Sequence, residues 1–332
     1  MYNFVYKDAS EALPELSRVL KTQGWEVDSR DGDSRSRVLE MTWVRTTLTN
    51  PVNREILVES RKANIFAQIA ETVWVLSGRN DVEWLERYLP RASQFSDDGI
   101  VWRGGYGPRI RCWDGIDQIQ NAIGILNSDR VSRRAVIQIY DPDRDAMPGK
   151  DIPCNNWIAM NSRLGQLDMG VALRSNDLIW GWSGINAFEW STLQEIIAFE
   201  LGIRPGNLNF FTASLHSYQR HWNKLFRIAD DTSGASAAMF SLPSPRYAPD
   251  ARGTWQQLIK EFMDLEEIIR NWTGNPEVLG ASLINSFPEP MYRSWLHALN
   301  TYWHGVPLPR YLFGTRLSVA VGISQQFIKK GH

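Results

Sequence analysis

The 332-residue chain predicts an α+β fold: one large mixed or antiparallel sheet, helices packed on it, and a helical C-terminal part. Two patterns point there. Short runs rich in β-branched residues alternate with longer apolar segments of helical period through the first two thirds of the sequence. From Thr254 onward the strand-like runs stop and the helical pattern takes over. A hydrophobic content of 43% at this length is enough to bury a large core.

Ser10 to Gly24 reads as an amphipathic helix, with Leu13, Leu16, Val19 and Leu20 on one face and Gly24 as its stop. Asp28 to Ser36 is a charged loop. Val38 to Leu48 has strand composition and ends at Asn50-Pro51. Ala63 to Gly78 is a long apolar helix in which Glu71 is the conspicuous acid. Glycines punctuate a loop-rich region around Gly104 to Pro108. Arg134 to Tyr140 looks like a buried strand. Asn156 to Met160 and Leu167 to Arg174 read as two more, separated by a turn at Arg163-Leu164-Gly165. Asn186 to Leu201 is a helix closed by Gly202, and Leu208 to Ala213 is again strand-like. The Pro- and Ser-rich Ser241 to Gly253 segment marks a joint, dividing a catalytic body (1–240) from a mainly helical region (241–332) packed on the same domain.

Thirty-six basic against 37 acidic residues leave a formal charge of −1, too little basic excess for a protein that wraps nucleic acid. Local clusters such as Arg133-Arg134 suit a small anion instead. Two cysteines, Cys112 and Cys154, stand far apart without CxxC spacing, so neither a disulfide framework nor a zinc site is expected. His221, His297, His304 and His332 show no ligand spacing, and no metal is expected. No apolar run reaches the length of about 20 residues needed to span a bilayer, so the expectation is a cytoplasmic protein without a membrane partner.

The chemistry-bearing residues are Cys154 after Pro153, the run Arg174-Ser175-Asn176-Asp177, and His216 with Tyr218. A lone cysteine is more often a small buried hydrophobe than a nucleophile. Set by a proline and followed by a basic segment, Cys154 reads as a thiolate whose pKa a nearby arginine lowers. Planar guanidinium forks bind a phosphate monoester in bidentate fashion. His216 and Tyr218, two apart, fall on one face of a strand.

In order, spacing and flanks, the stretch from about Arg30 to Tyr218 resembles the thymidylate synthase superfamily, and most closely its pyrimidine nucleotide hydroxymethylases. The resemblance implies a thymidylate synthase-like fold, a pyrimidine nucleoside monophosphate substrate and 5,10-methylenetetrahydrofolate as cosubstrate. It implies Cys154 as the nucleophile at C6 of the base. Arg30, Arg174 and Ser175 would hold phosphate from one subunit, with Arg133 and Arg134 reaching in from the partner of a homodimer. Glu71, in a Glu-x-x-Trp-x-Leu-x-Gly pattern, matches the general acid/base, and Tyr106 matches the tyrosine that helps remove the C5 proton. Asp177 resembles the acid that holds the folate pterin, and His216 and Tyr218 the pair on the sugar hydroxyl. Asn186, matched across a one-residue gap within Trp182 to Asn186, implies an amide facing the base. An amide suits uracil and a carboxylate would suit cytosine, so CMP, dCMP and dUMP all stay open.

Three departures from thymidylate synthase bear on the product. Asn155 follows the nucleophile where methylating enzymes carry histidine. The loop Ala92 to Asp98 is polar where the family has a tryptophan-rich screen. Leu317 to His332 lacks the tyrosine-proline-histidine strand and the apolar tail that closes over folate. The polar loop and the altered C-terminal segment favour water addition to the methylene intermediate over hydride transfer. Hydroxymethylation is therefore expected, with methylation second, a catalytically silent nucleotide-binding relative third, and an unrelated cysteine hydrolase only if a histidine base adjoins Cys154.

Overall fold

The computed structural model describes residues 2–28, 37–233, 241–249 and 253–329. Arg30 and most of the Asp28 to Ser36 loop lie outside the described residues, as does part of the Ser241 to Gly253 joint. Among the described residues, eight strands form one mixed sheet: β1 (Tyr2–Tyr6), β2 (Trp25–Val27), β3 (Val38–Leu48), β4 (Val136–Gln138), β5 (Asn155–Arg163), β6 (Gln166–Leu173), β7 (Asn176–Asp177) and β8 (Arg204–Tyr218). Their order is β1-β3-β8-β6-β5-β4, with β2 on β3 and β7 on β8. The β1–β3, β6–β8 and β7–β8 pairs are parallel and the rest antiparallel.

Strict alternation makes the sheet two-sided. Ile137, Ile158, Met160, Val171, Leu208 and Phe210 are buried on one face, whereas Val136, Trp157 and Phe211 on the other remain exposed. The β5–β6 hairpin closes at Leu164 and Gly165, both with positive φ (50° and 73°). Such a two-residue turn matches the right-handed strand twist.

Helices cover the buried face: α1 (Ala9–Gln23), α2 (Ile65–Leu76), α3 (Tyr106–Arg111), α4 (Gln118–Ser128), α5 (Ala187–Glu200) and α6 (Trp222–Ala229). Asp8 caps α1 by accepting from Ser10 and Glu11 backbone N–H groups, and Asn64 caps α2 through Ala67. The helix expected from Ala63 to Gly78 is trimmed at the front by that cap and at the back by Gly78, whose φ is +82°. Every residue of α5 from Ala187 to Ala198 is buried, so this helix has no solvent face. A π-helical stretch, Leu178–Asn186, feeds into it. Its i→i+5 bonds fit more residues into each turn than an α-helix does.

The C-terminal part contributes α7 (Trp255–Arg270), α8 (Pro290–His304) and α9 (Arg316–Ile323), all packed on α2. Arg316 is fully buried and donates to Ser10 Oγ and to the Glu55 carbonyl, 2.8 Å each. Beyond it, Ser324 Oγ accepts from Ile65 N–H (3.1 Å) and donates to the Ala63 carbonyl (2.8 Å), fixing the start of α2. Several strands differ from expectation. β8 starts earlier, at Arg204, and runs on from Ala213 to Tyr218. The buried strand expected from Arg134 to Tyr140 is the short edge strand β4, where only Ile137 is buried. β1, β2 and β7 were not expected, although Tyr2, Phe4 and Tyr6 alternate along β1.

Candidate active site

Neighbouring strand ends bring the nucleophile and the basic segment together. Cys154 immediately precedes β5 and Arg174 immediately follows β6, and the Arg174 N–H donates to the Cys154 carbonyl at 2.9 Å. The Arg174 guanidinium then folds back over the loop. Nε donates to the Pro153 carbonyl (3.0 Å), and Nη2 donates to the Ile152 carbonyl (2.8 Å) while lying 3.7 Å from Cys154 Sγ. Ser175 beside it is half-buried. Burial pushes the Cys154 thiol up; Arg174 pulls it down, and the Asp151 and Asp177 carboxylates push it up further. The net direction in the ligand-free chain is upward, which corrects the expectation of a lowered thiol: burial outweighs the single nearby guanidinium.

Asp151 holds the loop from the other side. Its Oδ2 accepts from the Gly104 N–H at 3.0 Å, and burial pushes its carboxyl up to about 6. A Cβ at Gly104 would stand 2.7 Å from Asp151 Oδ1 and 3.0 Å from the Pro153 nitrogen, so only glycine allows this approach. Tyr106 follows at the start of α3, which a buried ion pair anchors. Arg109 Nη1 and Nη2 reach the two Asp145 oxygens at 2.6 and 2.7 Å and also cap the Ile139 and Arg103 carbonyls. The Tyr106 hydroxyl is pushed well above its ordinary range by burial, then by Cys154 and Glu189, and it faces Asn155. Cys154 and Tyr106 therefore share one pocket.

From the other wall, Glu71 of α2 has its carboxyl pushed up to about 8 by burial. One acid escaped the sequence reading. Glu189, one helical turn beyond Asn186 on α5, is 1% exposed, and neither carboxylate oxygen hydrogen-bonds to any other described residue. Burial and the Glu71 carboxylate both push its pKa well up. The signal was an acid set in the apolar run Ala187-Phe188-Glu189-Trp190.

At the base of the site, Asn186 donates from Nδ2 to Asn176 Oδ1 at 3.2 Å. Asp177 spends Oδ1 on the Ile179 and Trp180 N–H groups, 2.6 Å each, while its buried Oδ2 has no partner among the described residues. The β7–β8 pairing sets Asp177 opposite His216. His216 and Tyr218 point the same way from β8, their rings 5.1 Å apart and nearly perpendicular. Burial raises Tyr218, with added effects from Asp177 and Cys154 that tie it to the same pocket. Phe95 and Trp180, both exposed, lie 5.9 Å apart at its rim. Arg133 and Arg134 are exposed just before β4 at the sheet edge and make no ion pair among the described residues. The polar loop bearing Phe95 is braced by Asp97, which accepts from the Lys150 N–H at 2.7 Å and pairs with Arg103 at 3.4 Å.

Sequence comparison bears on this geometry directly. The thymidylate synthase family model matches residues 13–239, more than half of the chain. A deoxyuridylate hydroxymethyltransferase of Pseudomonas phage M6 is 35% identical over 268 residues, covering 77% of this chain and 75% of that protein. Proteins of the same name from Delftia phage PhiW-14 and Bacillus phage SP01 are 40% and 37% identical over 188 and 194 residues. There the match spans about half the length of each relative, 52% and 51%. The chain belongs to the thymidylate synthase family of one-carbon transferases.

Proposed function

We propose that this protein hydroxymethylates C5 of deoxyuridylate, taking the one-carbon unit from 5,10-methylenetetrahydrofolate. The observation that carries the reading is the Arg174–Cys154 approach at 3.7 Å, with Tyr106 close enough to Cys154 for the sulfur's charge to raise its hydroxyl. The names of the relatives favour deoxyuridylate, and so does the amide at Asn186.

Arg174 and Ser175 bind the 5′-phosphate, together with Arg30. Arg133 and Arg134 complete the phosphate site from a second subunit, supported by their exposure and by the uncovered apolar sheet face of Val136, Trp157 and Phe211. His216 and Tyr218 hold the sugar hydroxyl. Asn186 gives its free Nδ2–H to O4 and accepts N3–H at Oδ1, with Asn176 fixing the amide's orientation.

Cys154 adds as thiolate to C6, which makes C5 nucleophilic. Arg174 stabilises the sulfur anion while a docked phosphate draws its fork away from the loop carbonyls. The cosubstrate supplies a carbon at the oxidation level of formaldehyde. The residues fit it: the orphan Oδ2 of Asp177 accepts a pterin N–H, and Phe95 with Trp180 offer an aromatic wall. Tyr106 helps remove the C5 proton, and Glu71, protonated at neutral pH, serves O4 as the ring charge develops.

Water then adds to the exocyclic methylene, and Cys154 leaves to restore the ring. The polar 92–98 loop and Asn155 support water over hydride. The helices α7, α8 and α9 brace α2, and the free Cys154 suits a reducing, cytoplasmic setting. The test is product identity with dUMP, UMP, dCMP and CMP. Hydroxymethyl-dUMP with tetrahydrofolate released supports the reading; thymidylate with dihydrofolate released refutes it.

A further inference from the structure

Glu189 is a costly residue for a helix that is buried on every side from Ala187 to Ala198. A buried carboxyl without a partner costs on the order of 1–3 kcal/mol, and an apolar side chain there would pack without that penalty. Yet both oxygens are orphaned among the described residues, one turn from Asn186, on the helix that packs against the Glu71 helix. The ring of the next residue, Trp190, lies 5.6 Å from the ring of Tyr106. Glu189 therefore lies where α5 meets α2, close enough to both Glu71 and Tyr106 to interact with them electrostatically.

We propose that Glu189 and Glu71 form a proton-sharing carboxyl pair that holds the water destined for the methylene carbon and takes its proton. This rests on the hydroxymethylation reading and deepens it. Two carboxyls that interact across packed helices do not both ionise, so the pair keeps at least one proton, and the state that acts holds one proton and one negative charge. Both groups are pushed up, Glu189 partly by Glu71 itself. The neutral member donates to the water and the ionised member accepts from it, which fixes the oxygen lone pair toward the pocket.

The step balances. The water oxygen bonds to the methylene carbon, the exocyclic double-bond pair moves into the ring toward O4, and the water proton passes to the ionised carboxyl. The ring electrons then return to re-form C5=C6 as the Cys154 sulfur departs with its pair. No redox partner is consumed, and the cosubstrate leaves as tetrahydrofolate. Tyr106, whose hydroxyl is raised partly by Glu189, stays a neutral phenol and does not compete for that proton.

The experiment measures two events in one tube: tritium released from [5-³H]dUMP, which reports C5 substitution, and hydroxymethyl-dUMP formed. Glu189→Gln preserves shape and removes the shared charge. Expected is tritium release within a few-fold of wild type, with product formed per tritium released falling by roughly 10²-fold. Added 2-mercaptoethanol should then capture the stranded methylene as a thioether. Glu189→Asp should recover part of the ratio, and it carries the test if the amide variant fails to fold. An unchanged ratio in these variants overturns the proposal, as does equal loss of both events. A methyl product from wild type overturns the underlying reading instead, so the two failures are distinct.

Discussion

Arg174 Nη2 lies 3.7 Å from Cys154 Sγ while the same fork binds the carbonyls of Ile152 and Pro153. One guanidinium thus shapes the nucleophile loop and offsets part of the burial that holds the thiol neutral.

Arg174→Ala should move the pH dependence of Cys154 alkylation to higher pH, because the charge that lowers the thiol is gone. Deoxyuridylate affinity should fall roughly 10- to 100-fold, the cost of a charged hydrogen-bonded contact. Iodoacetamide kinetics and equilibrium titration check the two effects separately. Arg174→Lys should restore little, since an ammonium cannot serve two carbonyls and a sulfur at once.

Cys154→Ala should reduce tritium release from [5-³H]dUMP to background and leave nucleotide binding intact. A binding-only protein would release no tritium even as wild type, and retention of tritium release in this variant would exclude a C6 thiolate adduct.

Glu71→Gln gives a stability signature with a fixed sign. The Glu71 carboxyl is raised from 4.5 to about 8 in the folded chain. Its contribution is fully present below the unfolded value and is lost as pH rises through the folded one. The amide variant should therefore gain in Tm over wild type between pH 5 and pH 9, by roughly 2–4 °C per kcal/mol released. Calorimetry across that range checks the trend, and a gain that shrinks with rising pH would contradict the burial of Glu71.

Asn186→Asp should shift preference from dUMP toward dCMP, because a carboxylate accepts from a cytosine N4 amine and repels uracil O4. Asn176 holds the native amide at 3.2 Å, so Asn176→Ala should blunt the discrimination without abolishing turnover. Competition between the two nucleotides in one reaction measures both.

The sequence was informative where local chemistry and tertiary position agree. Val38–Leu48 is a strand over the expected span because β-branched residues end at Asn50-Pro51. Tyr106, Asp177 and Tyr218 each sit at a strand or helix end and come close enough to Cys154 to interact with it electrostatically, and His216 lies opposite Asp177. The π-helix over Leu178–Asn186 was invisible, since its i→i+5 bonds leave no periodic signature in nine residues. Glu189 was missed because a lone acid in an apolar helix usually marks the helix rim, and only the burial of α5 on every side removes that option. Opposing charges hid the net rise of the Cys154 thiol: Arg174 was legible in sequence, but the depth of the sulfur was not.

The central claim is a transient bond between the Cys154 sulfur and C6 of the pyrimidine. With 5-fluoro-dUMP, the fluorine cannot leave C5 as the proton does, so the adduct should persist. Intact-protein mass spectrometry after incubation with this nucleotide and methylenetetrahydrofolate should find one covalent ternary adduct, mapped by digestion to the Cys154 peptide and absent from Cys154→Ala. No adduct, or an adduct mapped to Cys112, would contradict the account.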